Sequence, residues 1–148
     1  MEEIYLDNSA TTRPLPAVID AVVESMDLKY GNPSSLHNKG LRAERLMKEA
    51  RQKISKILKL KNNGEIIFTS GGTEANNLAI KGIVESYQNR GNHLITTEIE
   101  HSSVHNVFKY LEDKGFEVTY LPVNKKGFIS LDDLRQAIRE KTILVSIM

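Results

Sequence analysis

Apolar positions change their period several times along the chain, and each change marks an expected element boundary. Ile4–Leu6 is a short extended piece ahead of the turn-like stretch Asp7–Thr12. Pro14 suits the first turn of a helix, where its missing N–H costs nothing, and that helix is expected to reach about Lys29. Tyr30–Leu36 (YGNPSSL) gathers Gly, Asn-Pro and two Ser and reads as a loop. From about His37 to Leu60 a long helix is expected. Its Ala43, Leu46, Met47, Ala50, Ile54, Ile57 and Leu58 recur by threes and fours on one face, and Asn62–Gly64 stops it.

The second half alternates strand and helix patterns. Glu65–Thr69 (EIIFT) is a β-rich run with Gly on both sides. After Gly71-Gly72, a helix from Thr73 to about Arg90 carries Ala75, Leu78, Ala79 and Ile83 on one side, with Gly91 placed as its C-cap. His93–Thr97 and Phe116–Leu121 read as strands. Between them Ser102 or Ser103 can cap a helix whose face is Val104, Val107, Phe108 and Leu111, ended by Gly115. Asn124–Gly127 is a turn, and Ser130 with Asp133 resembles a capping arrangement for a helix to about Glu140. Thr142–Met148 (TILVSIM) is almost continuously apolar, as a strand covered on both faces would be. The alternation predicts a parallel α/β sheet. Ending on such a strand, with no crossover helix after it, creates the expectation that the chain is the front part of something longer.

Composition narrows the classes. A chain of 148 residues matches a single domain of roughly 100–150 residues. Zero Cys excludes a disulfide scaffold, a Cys-based metal site and a Cys nucleophile. With 20 Lys+Arg against 19 Asp+Glu, the net charge of +1 argues against a nucleic-acid binder of the basic-domain type. No apolar run approaches the roughly 18–20 residues that span a bilayer. The acidic start MEEIYLDNSATT lacks an apolar signal core, so a cytoplasmic location is expected.

Three features can carry chemistry. Thr69-Ser70-Gly71-Gly72-Thr73-Glu74 leads from a strand pattern through a Gly turn into a helix. Such a junction presents unpaired N–H groups and the positive helix end, and glycines let a phosphate approach the backbone. An ordinary βα turn with a Ser or Thr cap explains the same residues, and no G-x-x-x-x-G-K-[ST] or G-x-G-x-x-G supports a nucleotide. His101, following Glu100 just after a strand, can move protons or stack as a flat ring, or be a surface His at a helix start. His101 and His105 are four apart, but no further zinc ligands accompany them, so no metal is expected. The helix over Lys39–Lys61 carries nine Lys and Arg against Glu44 and Glu49, a face for an acidic partner or a solvated surface.

Together these residues resemble a known family. LDNSATT at 6–12, GNPSSLH at 31–37, FTSGGTEANNLAIKG at 68–82, EHSSV at 100–104 and ILVSIM at 143–148 occur in the order found in NifS/IscS-type cysteine desulfurases. The resemblance covers Tyr5–Met148 and implies the N-terminal part of a fold-type I, class V pyridoxal-phosphate enzyme. It implies an N-terminal segment over 1–15, a helical small-domain or dimer-side region over 16–61, and an incomplete cofactor-binding α/β domain over 62–148. Gly72 and Thr73 match the phosphate-binding pair, and His101 matches the catalytic His that stacks on the pyridine ring and assists proton transfers. The implied reaction takes sulfur from L-cysteine, leaving L-alanine and an enzyme persulfide for a sulfur-acceptor protein and Fe–S cluster assembly, in a homodimer.

The family's Asp on the pyridine nitrogen, the Gln after it, the Schiff-base Lys in Ser-x-His-Lys and the nucleophilic Cys have no counterpart in this sequence. A cofactor of this kind needs that amine, and desulfuration needs that thiolate. The chain alone is therefore expected to be inactive, with weak cofactor binding. Another class V enzyme, such as a selenocysteine lyase or aminotransferase relative, and a non-catalytic phosphate- or protein-binding module are the alternatives.

Overall fold

The computed structural model describes residues 4–61 and 64–148. Its elements are α1 (Pro16–Asp27), α2 (Asn38–Ile57), α3 (Gly72–Tyr87), β1 (His93–Thr97), α4 (Ser102–Asp113), β2 (Glu117–Leu121), α5 (Leu131–Ala137) and β3 (Thr142–Val145). They fall into two units, Met1–Ile67 and Phe68–Met148.

In the first unit, Ile4–Leu6 belongs to no helix or sheet. The Tyr5 hydroxyl donates to the carbonyls of Asp7 and Thr11, bracing the turn between them. α1 begins two residues later than Pro14, because Leu15 precedes a second proline and is held extended at φ −63°, ψ 147°. Pro16 then takes the first helical turn. No residue of α1 is buried, and its Val18, Val22, Val23 and Met26 are exposed.

α2 begins on His37, whose ring Nδ1 accepts from the Gly40 N–H at 3.3 Å. The preceding loop lies against it so closely that a Cβ on Gly40 would collide with the Ser35 carbonyl, and one on Gly31 with that of Lys39. The apolar face is narrower than its sequence implies. Ala43, Met47, Ala50 and Ile54 are buried or half-buried, whereas Leu46, Ile57 and Leu58 are exposed. Cover comes from the 31–35 loop and from the segment after Gly64, where Arg51 donates to the Ile66 carbonyl at 3.2 Å. The helix also ends before the expected stop, of which Asn62 and Asn63 lie outside the described residues. Lys59 adopts φ +51°, its N–H donates to the Lys56 carbonyl and the Leu60 N–H to that of Ser55. This is a Schellman cap with Lys where Gly is usual.

In the second unit the three strands form a parallel sheet in the order β2-β1-β3. All five residues of β1 are buried. Leu94 packs with Ile80 and Val84 of α3 and with Val104, Val107, Phe108 and Leu111 of α4, so the expected face of α4 is the core face. Gly115 closes α4 at φ +94° in a second Schellman cap, with its N–H on Glu112 and that of Phe116 on Leu111. Ser130 caps α5 by accepting from the Asp133 N–H at 3.2 Å, although α5 stops at Ala137 rather than near Glu140.

Glu65–Thr69 is not a strand: a β-rich composition needs a ladder partner to become one, and this stretch takes up none among the described residues. α3 buries Ile80 and Val84, while Leu78 and Ile83 on the expected side are exposed. The helix has apolar residues on two sides, and packing against α4 selects the 80/84 side. Gly91 lies beyond the α3 C-cap at Gln88, and its missing Cβ admits the Lys141 carbonyl, which accepts from the His93 N–H at 3.0 Å. β3 pairs on one side only and is half-buried, not covered on both faces.

His93 ties all three strands at one end. Its Nδ1 lies 2.8 Å from Thr142 Oγ1 on β3, and its Nε2 lies 2.9 Å from Thr119 Oγ1 on β2. Burial, helped by the nearby Arg139 guanidinium and opposed by Glu117, holds the ring below its ordinary value of 6.5.

As pH falls below the ordinary imidazole value of 6.5, the unfolded chain binds a proton at His93 before the native chain does. Urea unfolding is therefore expected to show stability falling from that pH downward, and His93→Gln to flatten the fall. Lys59→Gly removes a left-handed residue bearing a Cβ, offset by greater unfolded-state freedom, and is expected to stabilise by about 0.5–1 kcal/mol in the same assay.

Candidate functional site

The start of α3 is open. Its N-cap, Gly71, is extended at φ 164°, and a Cβ on Gly71 or Gly72 would meet nothing within 4 Å. The first helical bond runs from the Ala75 N–H to the Gly71 carbonyl at 3.0 Å, so the N–H groups of Gly72, Thr73 and Glu74 fall outside the helical ladder. The Thr73 hydroxyl has no hydrogen-bond partner among the described residues. Glu74 folds back and accepts from the Ser70 hydroxyl and the Ser70 N–H, both at 2.6 Å. Those two bonds, the hydroxyl first, hold the Glu74 carboxyl below its usual range against a small opposing desolvation. The carboxylate is thereby engaged on the Ser70 side of the turn.

His101 itself, and neither Ser102 nor Ser103, is the N-cap of α4. Its Nδ1 accepts from the Ser103 N–H at 3.1 Å, with Ser103 Oγ at 2.8 Å. An imidazole lone pair thus does what a Ser or Asp oxygen usually does at this position. Ser103 is buried and also receives a bond from Asn76 Nδ2 of α3 at 2.9 Å. Asn76 stands one turn after Thr73 on the same helix. The two sequence candidates are therefore joined at one corner: the Gly72-Thr73 turn opens α3, and His101 is tied to α3 through Ser103. Thr73, Ser102 and Ser103 also line one groove of about 280 Å³.

Behind this corner Glu100 fixes the loop after β1. Its Oε1 accepts from the Thr97 hydroxyl at 3.1 Å and from the Met148 N–H at 2.6 Å. His105 does not converge with His101: its ring meets the edge of Tyr120, with centroids 5.6 Å apart, and its Nδ1 is buried without a hydrogen bond. Tyr120 donates to Glu112 at 2.7 Å, and burial, then Glu112, raise its phenol far above the ordinary value. Among the described residues no three His, Cys, Asp or Glu are grouped to hold a metal ion. No helix among them is long and apolar enough to cross a membrane.

The basic helix contributes to a groove of about 350 Å³ within its own unit, lined by Lys29, Tyr30, Lys39, Arg42, Arg45 and Glu49 among others. The Lys39 ammonium sits 3.5 Å over the Tyr30 ring, and its hydrogen bond and charge lower the Tyr30 phenol.

The profile of the family described as aminotransferase class-V matches residues 4–148. The chain belongs to that family. Among its class-V relatives, the cysteine desulfurase IscS of Dictyoglomus turgidum is 48% identical over 146 residues, 99% of this chain and 37% of that protein. The IscS of Methanosarcina thermophila is 48% identical over 145 residues, 98% of this chain and 36% of its own length. A solved structure of a NifS-like protein superposes with a TM-score of 0.88 at 42% identity, covering 95% of this chain and 38% of that one. The structure described as SspA in complex with cysteine gives a TM-score of 0.83 at 37% identity, covering 94% and 40%. This chain thus spans little more than a third of the length of the class-V desulfurases it matches.

Sequence reasoning missed Asn76, and it read Ser103 only as a possible helix cap. The available signal was the spacing Asn76, Ile80, Val84, which places the Asn at the head of the buried stripe of α3.

Ser70→Ala removes the hydroxyl bond on Glu74. The Glu74 carboxyl is expected to move up toward its ordinary value of 4.5, as followed by carboxyl-carbon NMR during an acid titration.

Proposed function

We propose that this chain is the N-terminal portion of a cysteine desulfurase. In the complete protein the reaction would convert L-cysteine to L-alanine, with the sulfur leaving on an enzyme cysteine as a persulfide. A sulfur-acceptor protein would receive it for Fe–S cluster or other sulfur biosynthesis, and the working form would be a cytoplasmic homodimer.

The observation that carries the reading is the hydrogen-bonded corner between α3 and His101. Its donor set fits a cofactor phosphate: free N–H groups, the unpartnered Thr73 hydroxyl, and space at Gly71 and Gly72 that no side chain occupies. On the other side, the exposed imidazole of His101 fits a flat ring. Near-half identity to IscS proteins across almost the whole chain supports the same assignment.

The family is pyridoxal-phosphate-dependent. Gly72 and Thr73 would hold the phosphate, and His101 would lie against the pyridine ring. The cofactor, when bound, supplies an electron sink for breaking bonds at the amino-acid α-carbon. Thr73 would donate its hydroxyl and the helix end would contribute its positive dipole, while the Glu74 carboxylate stays engaged by Ser70. His101 orients its ring through the cap on Ser103. The lysine that anchors the cofactor and the sulfur-accepting cysteine must come from other sequence, so the chain alone is inactive in this reading.

Alone, the chain is expected to bind pyridoxal phosphate weakly by absorbance titration and to release no alanine from cysteine. Combined with a polypeptide supplying the rest of a desulfurase of this family, it is expected to form alanine and a persulfide. Thr73→Val would then weaken cofactor binding about tenfold, the effect of losing one charge-assisted hydrogen bond. Stoichiometric borohydride labelling of one lysine in the chain alone, with alanine formed, would overturn the inactive-alone reading. A stable complex that forms no alanine would overturn the desulfurase reading.

A further inference from the structure

The direction of every hydrogen bond in the Asn76–Ser103–His101 chain is fixed by one group that cannot turn around. The backbone N–H of Ser103 points at His101 Nδ1 from 3.1 Å. A backbone N–H is a donor only, so Nδ1 must present its lone pair. The Ser103 hydroxyl, 2.8 Å from the same nitrogen, must then donate as well. With its proton spent on His101, Ser103 Oγ is left as an acceptor, and the Asn76 amide must turn its NH₂ toward it at 2.9 Å. Reversing any one bond puts two hydrogens, or two lone pairs, face to face.

We infer that Asn76 and Ser103 are positioning residues that hold His101 as the neutral tautomer with its proton on Nε2. The exposed imidazole then presents a hydrogen-bond donor with a fixed ring plane at this corner. Nδ1 cannot act as a base without losing two donors. Ser103 is buried, so water does not substitute readily for its hydroxyl. Asn76 lies on α3 one turn beyond Thr73, so the same helix that opens the anion-binding turn also sets the protonated nitrogen of the ring. The consequence for a cofactor ring rests on the desulfurase reading above, whereas the tautomer and the bond directions do not.

The test is long-range proton–nitrogen correlation NMR on the complete 148-residue chain with labelled histidine, in mildly alkaline buffer where imidazoles are neutral. The His101 signal is assigned by its loss in His101→Gln. The expected result is a protonated Nε2 and an unprotonated Nδ1 whose resonance is displaced by hydrogen bonding. Ser103→Ala should shift Nδ1 toward the value of a free ring nitrogen. Asn76→Ala should shift it the same way by less, and Ser103→Thr should restore it. A change in packing alone would not return with Thr. A protonated Nδ1 in the unaltered chain would overturn the inference, whether or not any variant folds. An Nδ1 resonance that Ser103→Ala leaves in place would overturn it too. Failure of cofactor binding or alanine formation bears only on the desulfurase reading.

Discussion

The second unit depends on the full burial of β1. Both rows of its backbone groups are taken up by parallel neighbours, β2 on one side and β3 on the other, and its side chains are buried on both faces. A strand so placed cannot slip, because a one-residue shift would exchange its faces and break two ladders together. The buried His93 adds a polar lock at one end by reaching a threonine on each neighbour. With β1 fixed, the loop that leaves its other end and the start of α4 are fixed too.

That other end holds the candidate site. Thr97 closes β1, Glu100 braces the loop, and His101 begins α4 by capping it. α3 reaches the same corner because Ile80 and Val84 pack on α4 and the sheet, which brings Asn76 onto Ser103. An open helix start and an oriented imidazole are therefore outcomes of core packing. The arrangement follows the general rule that parallel sheets place ligands beyond the carboxyl ends of their strands.

Much of this was readable from the residues. Val104, Val107, Phe108 and Leu111 lie on the core face of α4 as their spacing requires, and Gly115 ends that helix in the left-handed conformation that glycine favours. The strands at His93–Thr97 and Glu117–Leu121 stand where their β-rich runs predicted. Other readings failed for physical reasons. Glu65–Thr69 has a strand's composition, yet pairing depends on a neighbour that local sequence does not encode. α3 offers two apolar sides, and periodicity cannot say which one meets α4. Gly91 looked like a helix cap, but its lack of a Cβ serves the close approach of Lys141 from fifty residues away.

By itself, the sequence determined the periods of the elements, the chemistry available at Gly72, Thr73 and His101, and the family motifs, since each is carried by residues close in the chain. Tertiary structure decided that His101 caps its own helix, that Ser103 lies between it and Asn76, and that His93 joins three strands. The bond between Asn76 and Ser103 spans 27 positions and that between His93 and Thr142 spans 49. Such partners are chosen by the packing of whole helices and strands, and no local pattern records that choice.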